Sequence, residues 1–316
     1  MAPESAAPYA SSRPSAAKPS PLLTIDPALM RRLEALRLSV RWLRWSQHLG
    51  GRYVINRRGS SIEFADYMPY MPGDDIRTID WNLYARLDRL FVRTYKEEVE
   101  LGVELMIDAT ASMALPTAEK FARACQLALC LGHVGLAGHH RVRVTWIRPG
   151  PVTPSQWLFR RPQVTRLAES LASSPPAGSV NIGQWMQQAA ARLRMRGGQA
   201  ILISDWMIRP AEWMEALRVL MSRHLELKVI QVISPQELEP ARLFRGGVLV
   251  DSETGQTHEL AYSADELARA VKEHNETLAR FCKRNGIPLA QVRIDQPVED
   301  AMLRLLPERG FVRPIH

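Results

Sequence analysis

The sequence lacks the long apolar run that a membrane-spanning helix requires. Such a helix needs about 18 to 20 predominantly apolar residues, whereas the longest apolar stretch, Leu127 to Ala137, is shorter and contains His133. The first ten residues, MAPESAAPYA, include an acid at Glu4 and no apolar segment, so we expect no secretory signal. These two absences predict a cytoplasmic protein.

Cysteine is scarce, with three residues in a chain of 316. Cys125 and Cys130 lie five positions apart on a predicted helix, and Cys282 stands alone. This spacing suits neither a Cys-x-x-Cys zinc or redox motif nor a local disulfide. We therefore predict that all three are buried, unreactive thiols.

Common catalytic motifs are also missing. The sequence has no GxxxxGK(S/T) loop for nucleotide phosphates, no GxGxxG after a strand and no GxSxG nucleophile elbow. A phosphatase of the haloacid dehalogenase type would use an Asp-x-Asp pair as nucleophile and general acid, but Thr110 occupies the second position. We therefore predict that the protein is not an enzyme.

Positive charge is concentrated near the N-terminus. The formal net charge is +8, and between Pro27 and Ser60 eight arginines stand against one acid, Glu34. Such a cluster could meet phosphates, an acidic protein partner or solvent. Because no nucleic-acid-binding motif accompanies it, a solvated or partner-facing surface is favoured. The cluster consists of Arg31, Arg32, Arg37, Arg41, Arg44, Arg52, Arg57 and Arg58.

The run ELMIDATASM, from Glu104 to Met113, contains the most informative polar residues. Its apolar part predicts a buried strand that ends at the carboxylate of Asp108, followed by the hydroxyls of Thr110 and Ser112. Alternate residues of an extended segment point the same way, so the three side chains can converge. Because burying an isolated carboxylate is costly, Asp108 should be hydrogen-bonded, paired or bound to a cation. The spacing predicts a site for a hard metal ion.

The chain divides into three predicted segments. Residues 1–25 are rich in Ala, Pro and Ser and predict a disordered tail. In residues 26–100, Asp26 and Pro27 begin a helix whose apolar spacing continues to Leu49, and a loop-rich extension follows. In residues 101–316, strands alternate with helices, which predicts an α/β fold with a doubly wound, mostly parallel sheet. We also predict a small β-hairpin insertion near residues 248–261.

The extension from residue 52 to residue 98 is dense in turn formers and in opposed charges. Its acids could form a second metal site, but the arginines among them supply charge partners, so a structural network of ion pairs is favoured. The predicted network consists of Asp74, Asp75, Arg77, Asp80, Trp81 and Arg86.

The run PGDDIRTIDWNLYAR, followed by FVRTYKEE and then MIDATASM, resembles a bacterial family known as domain of unknown function 58. Members carry a Pro-Gly-Asp-Asp-x-Arg-x-Ile-Asp-Trp signature before a von Willebrand factor A-like domain. The resemblance extends from about Asp26 to the C-terminus. It implies a von Willebrand factor A-like, Rossmann-like fold, and action beside a MoxR-type AAA+ ATPase in assembling or maturing a client protein.

The resemblance also implies a metal-ion-dependent adhesion site. If the sheet has the order 3-2-1-4-5-6, the strand ending at Asp108 lies beside the strand that precedes Asp205. The Asp-x-Ser-x-Ser motif of such sites falls on Asp108, Thr110 and Ser112, and the late aspartate falls on Asp205. This all-oxygen set suits Mg²⁺ or Mn²⁺, or less tightly Ca²⁺.

One position departs from the pattern. The middle-loop threonine of these sites falls on Val180, which has no oxygen to give, so Ser179 or Asn181 would have to compensate directly or through a water. The alternative is that Asp108 and Asp205 cap helix N-termini in a site that has lost its metal.

We therefore predict a non-enzymatic protein-interaction module in which the metal leaves one position open for a partner's carboxylate. Two alternatives belong to other classes: a nucleic-acid binder that uses the arginine cluster 31–58, and a metal-dependent hydrolase. Binding to phosphates weakens steeply with salt, so a salt titration with DNA distinguishes the nucleic-acid binder from the interaction module. A phosphatase and nuclease screen with Mn²⁺ separates the second.

Overall fold

The computed structural model describes residues 25–40, 63–74, 76–96, 101–192, 198–223, 225–239, 248–250, 257–259 and 264–315. The chain divides into two compact units, residues 41–101 and residues 1–40 together with 102–316. The predicted tail, apart from Ile25, lies outside the described residues. Within these ranges, no helix combines the length and apolarity that a bilayer crossing demands.

The described residues form strands and helices in alternation. The strands are β1 (Leu36–Leu38), β2 (Glu63–Pro69), β3 (Phe91–Lys96), β4 (Gly102–Asp108), β5 (Arg141–Ile147), β6 (Gln199–Ser204), β7 (Glu226–Ile233), β8 (Val248–Val250), β9 (Thr257–Glu259), β10 (Leu289–Arg293) and β11 (Val312–Pro314). The helices are α1 (Pro27–Leu33), α2 (Trp81–Leu87), α3 (Glu119–Ala137), α4 (Val164–Ala172), α5 (Ile182–Arg192), α6 (Pro210–Met221), α7 (Pro235–Leu238), α8 (Ala264–Arg284), α9 (Val298–Asp300) and α10 (Leu306–Glu308), with a π-helical turn at Ala301–Leu305.

A parallel sheet of five described strands, in the order β10-β7-β6-β4-β5, forms the centre of the larger unit. Every residue of β4 and of β6 is buried, as expected for parallel strands covered by helices on both faces. In β4, Leu105 and Ile107 pack into one apolar cluster with α3, whereas Met106 packs into a second cluster with α5, α6 and α8. The predicted α/β class with a doubly wound sheet is confirmed.

Residues 152–159 do not form a regular strand beside β5. They contain an isolated bridge between Leu158 and Val142 and a bond from the Ser155 N–H to the Val144 carbonyl. Pro154 interrupts this stretch, and a proline has no N–H to donate to a neighbouring strand. Numbered from β4, the described order is therefore 2-1-3-4-5, and the predicted contact between β4 and β6 is retained.

The predicted long N-terminal helix is wrong beyond its first two turns. Asp26 caps α1 as predicted, with its side chain accepting from the Ala28 N–H at 2.7 Å. After Leu33, however, the chain becomes β1, which pairs antiparallel with β11 near the C-terminus. Leu36 and Leu38 are buried at a spacing of two, so the pairing with a distant strand overrides the helical pattern.

Two smaller predictions are confirmed. Strands β8 and β9 form an antiparallel hairpin at the predicted insertion. Cys125, Cys130 and Cys282 are free and buried, and burial raises the pKa of each thiol to about 12. Thiols with such pKa values are unreactive near neutral pH because the thiolate is the nucleophile.

Candidate interaction site at the carboxyl edge of the sheet

The predicted site residues lie where the chain changes direction across the sheet. Strand β4 ends at Asp108, and the neighbouring strand β6 ends at Ser204, directly before Asp205. From β4 the chain continues to β5 on one side and later to β6 on the other. In open α/β sheets such a switch point lies beside the usual ligand crevice. Asp108 and Asp205 are both buried there.

Internal hydrogen bonds occupy both oxygens of the Asp108 carboxylate. Its Oδ1 atom accepts from the Thr110 backbone N–H at 2.9 Å and from Thr110 Oγ1 at 2.7 Å. Its Oδ2 atom accepts from Ser204 Oγ at 2.6 Å. Ser112 Oγ lies 3.1 Å from Thr110 Oγ1, so the structure brings the three residues of the Asp-x-Thr-x-Ser motif together.

The surroundings of Asp108 disfavour its ionised form, because the carboxyl is buried close to the carboxylate of Asp205. Burial, followed by the negative charge of Asp205, raises the pKa of the Asp108 carboxyl to about 6. Hydrogen bonds from Ser204 and Thr110 act in the opposite direction. Two acids that repel each other in this way gain from any cation or proton placed near them.

A lysine supplies that positive charge at Asp205. Lys120, near the start of α3, donates from Nζ to Asp205 Oδ2 at 2.9 Å and to Glu237 Oε1 at 2.7 Å. Its side chain is 1% exposed. Burial by itself would lower the pKa of the amine, but the charges of Asp205 and Glu237 outweigh it, and the pKa of Lys120 is raised. The lysine is therefore a buried ammonium.

The second oxygen of each of these carboxylates is bound to backbone. Asp205 Oδ1 accepts from the Met207 N–H at 3.0 Å. Glu237 Oε2 accepts from the N–H and from the hydroxyl of Ser234, both at 2.8 Å, in a capping box at the start of α7. Asp108 and Asp205 thus bind loop N–H groups two residues ahead, and α7 is capped by Ser234.

Trp206, directly after Asp205, has a left-handed backbone with φ of 59°. A bulky residue rarely adopts this conformation, which costs about 1–3 kcal/mol and persists only where surrounding contacts impose it. Its N–H donates to Ser204 Oγ at 3.0 Å and its indole Nε1 to the Ile230 carbonyl at 3.1 Å. These contacts hold the turn that aims Asp205 at Lys120.

The sequence-based reasoning missed Lys120, Ser204 and Glu237. A local signal existed for Ser234 and Glu237, because Ser-x-x-Glu after a strand is a capping box. The hydroxyl of Ser204 was readable as another oxygen next to Asp205. Lys120 gave only an indirect signal, as a charged residue early in an otherwise apolar helix.

The contacts of this site do not fit a bound divalent metal. Lys120 is bound to Asp205, and both oxygens of Asp108 accept hydrogen bonds from the protein. No three His, Cys, Asp or Glu side chains of the described residues are grouped as metal ligands. Val180 is half-buried against the second apolar cluster. Asn181 Oδ1 accepts from the Gln184 N–H at 3.0 Å, as a helix cap of α5. Ser179 is exposed.

A cavity of about 600 Å³ lies beside the Asp108 loop. Two backbone bonds join the loops around it: the Ala111 N–H donates to the Gly178 carbonyl at 2.8 Å, and the Ala177 N–H donates to the Ala109 carbonyl at 2.9 Å. Three of its eight lining residues are prolines, and Arg148 supplies a cation. The lining residues are Ala109, Arg148, Pro149, Pro151, Thr153, Pro175, Ala177 and Gly178.

The smaller unit contains the signature segment. Asp80 caps α2, with its side chain accepting from the N–H groups of Asn82 and Leu83 at 2.9 and 3.1 Å and from the Tyr67 hydroxyl at 3.0 Å. Asp74 accepts from the Met71 N–H at 2.8 Å. Asp75 lies outside the described residues. Ion pairs with Arg77 and Arg86 stay a prediction.

Trp81 and two apolar side chains near it in the sequence, Met71 and Ile76, are exposed to solvent. The exposed fractions are 62% for Trp81, 70% for Met71 and 64% for Ile76. The predicted network placed Trp81 among ion pairs, whereas the structure places its ring edge-to-face with Tyr84, with centroids 6.2 Å apart.

Three members of the predicted arginine cluster are described. Arg31 is exposed, Arg32 pairs with Glu299, and Arg37 donates to the carbonyls of Glu34 and Leu36, each at 3.1 Å. The contacts of Arg32 and Arg37 are thus internal to the protein. Arg41, Arg44, Arg52, Arg57 and Arg58 lie outside the described residues.

Comparisons with known proteins agree with the signature. The family model described as "Protein of unknown function DUF58" matches residues 66–279. The uncharacterized protein Rv1480 of Mycobacterium tuberculosis is 30% identical over 278 residues, which cover 86% of each chain.

Solved structures similar to this chain include two from other bacteria. An aerotolerance-related membrane protein of Bacteroides fragilis has 16% identity and a TM-score of 0.39, covering 66% of this chain and 98% of that one. A von Willebrand factor type A protein of Catenulispora acidiphila has 14% identity and a TM-score of 0.31, covering 59% and 43%.

Proposed function

The chain belongs to the DUF58 family, and from this premise we propose that it is a non-enzymatic protein-interaction module that works in the cytoplasm with a MoxR-type AAA+ ATPase on a client protein. The observation that carries the proposal is the carboxyl edge of the sheet. There, the loop that follows Asp108 is held rigidly beside a proline-lined cavity of about 600 Å³.

Rigidity of this edge favours recognition. Binding is stronger when a surface is already ordered, because less conformational entropy is lost on association. The loop after Asp108 is tied to the loop at Gly178 by backbone bonds, and the Asp108 carboxylate is tied to Ser204. A partner would therefore meet a preformed surface.

The contacts of the two buried acids favour a non-enzymatic role. A general base or nucleophile must reach its substrate at hydrogen-bonding distance. Asp108 and Asp205 are buried and bonded to Thr110, Ser204 and Lys120 instead. Neither acid is presented to a substrate.

The cavity chemistry indicates what part of a partner would bind. Proline side chains provide a stiff apolar wall, and Arg148, which lies 3.3 Å from Ser174 Oγ, provides a cation at its edge. Arginine pairs well with carboxylates at interfaces. We therefore expect an apolar segment with an acidic side chain.

A pull-down assay with the MoxR-type ATPase of the same organism tests the proposal. Arg148→Glu should weaken capture at least about tenfold, the result of replacing attraction by repulsion across an interface. Arg309→Glu, at an exposed arginine in the turn before β11, serves as the matched control and should bind normally. Undiminished capture by Arg148→Glu, with unchanged melting, would remove this face from the proposal.

The metal-dependent form of the proposal has Mg²⁺ or Mn²⁺ held by Asp108, Thr110, Ser112 and Asp205, with a partner's carboxylate completing the coordination. Five oxygen-bearing side chains lie at this edge, Ser204 being the fifth, but the hydrogen bonds of Asp108 and the ion pair of Asp205 oppose this form. It requires the ion pair between Lys120 and Asp205 to open. Calorimetry of the wild-type protein with each cation tests this form.

The two alternatives from other classes have their own tests. Nucleic-acid binding through residues 31–58 would weaken steeply as salt is raised in a DNA titration. The internal contacts of Arg32 and Arg37 do not favour it. A hydrolase would turn over phosphate esters or DNA in a screen with Mn²⁺.

A further inference from the structure

We infer that the ammonium of Lys120 is the resident cation of the carboxyl edge and takes the place of a divalent metal there. Its Nζ bridges Asp205 and Glu237 at 2.9 and 2.7 Å. The three residues come from α3, the end of β6 and α7, so the tertiary fold builds this bridge.

The two carboxylates are arranged to receive a cation from the protein itself. Each has one oxygen bound to backbone, Asp205 at Met207 and Glu237 at Ser234, and the other oxygen bound to the ammonium. Backbone bonds of this kind orient a carboxylate before any cation arrives. The arrangement therefore gives the buried ammonium two charged acceptors, as a buried charge requires.

The bridge also excludes a second cation. A divalent ion bound at Asp205 would lie close to the Lys120 ammonium, and like charges in a buried site repel strongly because screening by water is weak there. Asp108 is a poor substitute, because both of its oxygens already accept hydrogen bonds from Thr110 and Ser204. We expect divalent cations to bind only after Lys120 is removed.

Titration with Mn²⁺, followed by electron paramagnetic resonance and by thermal melting, tests this inference on the full-length protein. The wild-type protein should bind no stoichiometric Mn²⁺ up to about 1 mM, the weak end of protein sites for divalent cations. Lys120→Met, which keeps the length of the side chain without its charge, should melt at a lower temperature and should bind one Mn²⁺. The ion should then restore part of the lost melting temperature.

Two controls make the result specific. Lys228→Met removes a second buried lysine, whose Nζ donates to the carbonyls of Ser39 and Phe311, so its lowered melting temperature should not respond to Mn²⁺. Adding Asp205→Asn to Lys120→Met should abolish the gained Mn²⁺ binding.

Several outcomes overturn the inference. Stoichiometric Mn²⁺ binding to the wild-type protein does so alone, and this measurement remains decisive if Lys120→Met fails to fold. A folded Lys120→Met protein that neither binds Mn²⁺ nor is stabilised by it does so as well.

The consequence for recognition rests on the proposed function. If Lys120 is the resident cation, capture of the ATPase should be equal in EDTA and in Mg²⁺. Failure of all capture would contradict the proposed function, whereas the Mn²⁺ titration would still decide the role of Lys120.

Discussion

Among the described side chains, two lysines are almost completely buried, and they lie toward opposite ends of the sheet. Lys120, at the carboxyl edge, is held by the carboxylates of Asp205 and Glu237. Lys228, the third residue of β7, donates to the carbonyls of Ser39 at 2.5 Å and Phe311 at 2.9 Å. One lysine is part of a charge cluster and the other joins backbone segments.

The difference separates two uses of a buried charge. Neutral carbonyls compensate the charge of an ammonium only in part. By donating to the carbonyls next to β1 and β11, however, Lys228 connects those strands to the sheet. Carboxylates compensate the charge fully, and they remain uncompensated acids if the lysine is removed. The carboxyl edge therefore depends on charge balance, and the amino end depends on backbone connection.

The largest expected effect comes from removing each ammonium in turn. Lys120→Met should lower the free energy of unfolding by about 3–5 kcal/mol, because two carboxylates lose their partner. Lys228→Met should lower it by about 1–3 kcal/mol, because the carbonyls of Ser39 and Phe311 lose their donor. Urea denaturation at neutral pH measures both, and an equal or reversed order would break the comparison.

A histidine at the amino end adds pH dependence. His140 precedes β5, and burial, followed by the positive charges of Arg37 and His139, lowers its pKa to about 4. Because the folded state prefers the neutral ring, the contribution of His140 is complete above about pH 6.5 and is lost as the pH falls toward 4.

Comparison with His140→Gln isolates this effect. Between pH 7 and pH 5 the wild-type protein should lose about 2 kcal/mol more stability than the variant, since the unfolded chain takes up the proton over this range and the folded chain does not. Denaturant midpoints at the two pH values measure the difference. Parallel losses would show that the ring is solvated.

At the left-handed turn of the carboxyl edge, we expect a glycine variant to be more stable than an alanine variant. Alanine normally gives a more stable protein than glycine, because glycine loses more backbone entropy on folding. At the φ of 59° of Trp206, however, a Cβ atom makes the backbone conformation unfavourable. Trp206→Gly should therefore be more stable than Trp206→Ala by about 1 kcal/mol, although both lose the buried ring. Thermal melts of the two variants check the order, and a more stable alanine variant would indicate a relaxed turn.

We expect the smallest change in the free energy of unfolding at a surface ion pair. This pair serves as the reference for the buried ion pairs of Lys120. Arg32 and Glu299 are both well exposed. Glu299→Gln should change the free energy of unfolding by less than about 1 kcal/mol, because water screens exposed pairs. A loss comparable to that of Lys120→Met would mean that burial is not what distinguishes the two pairs.

Some of the site could be predicted from local sequence. The apolar runs before Asp108 and Asp205 predict buried strands, and parallel strands place both acids at one edge. The polar spacing after Asp108 predicts the convergence of Thr110 and Ser112. These inferences depend on residues only a few positions apart, whereas the resemblance to the family implied that the two strands are neighbours.

Other features were not predictable because they depend on pairing between distant segments. Leu36 and Leu38 fit a continuing helix until β11, more than 270 positions away, supplies a strand partner. Lys120 looks like an exposed helix residue until Asp205 and Glu237, 85 and 117 positions later, close around it.

By itself, the sequence determined the alternation of strands and helices and the edge at which the acids emerge, because apolar periodicity and strand direction are local properties. Only the tertiary structure decided which cation those acids meet. Electrostatic energy depends on distance in space and on burial, and neither quantity is written in the spacing of residues along the chain.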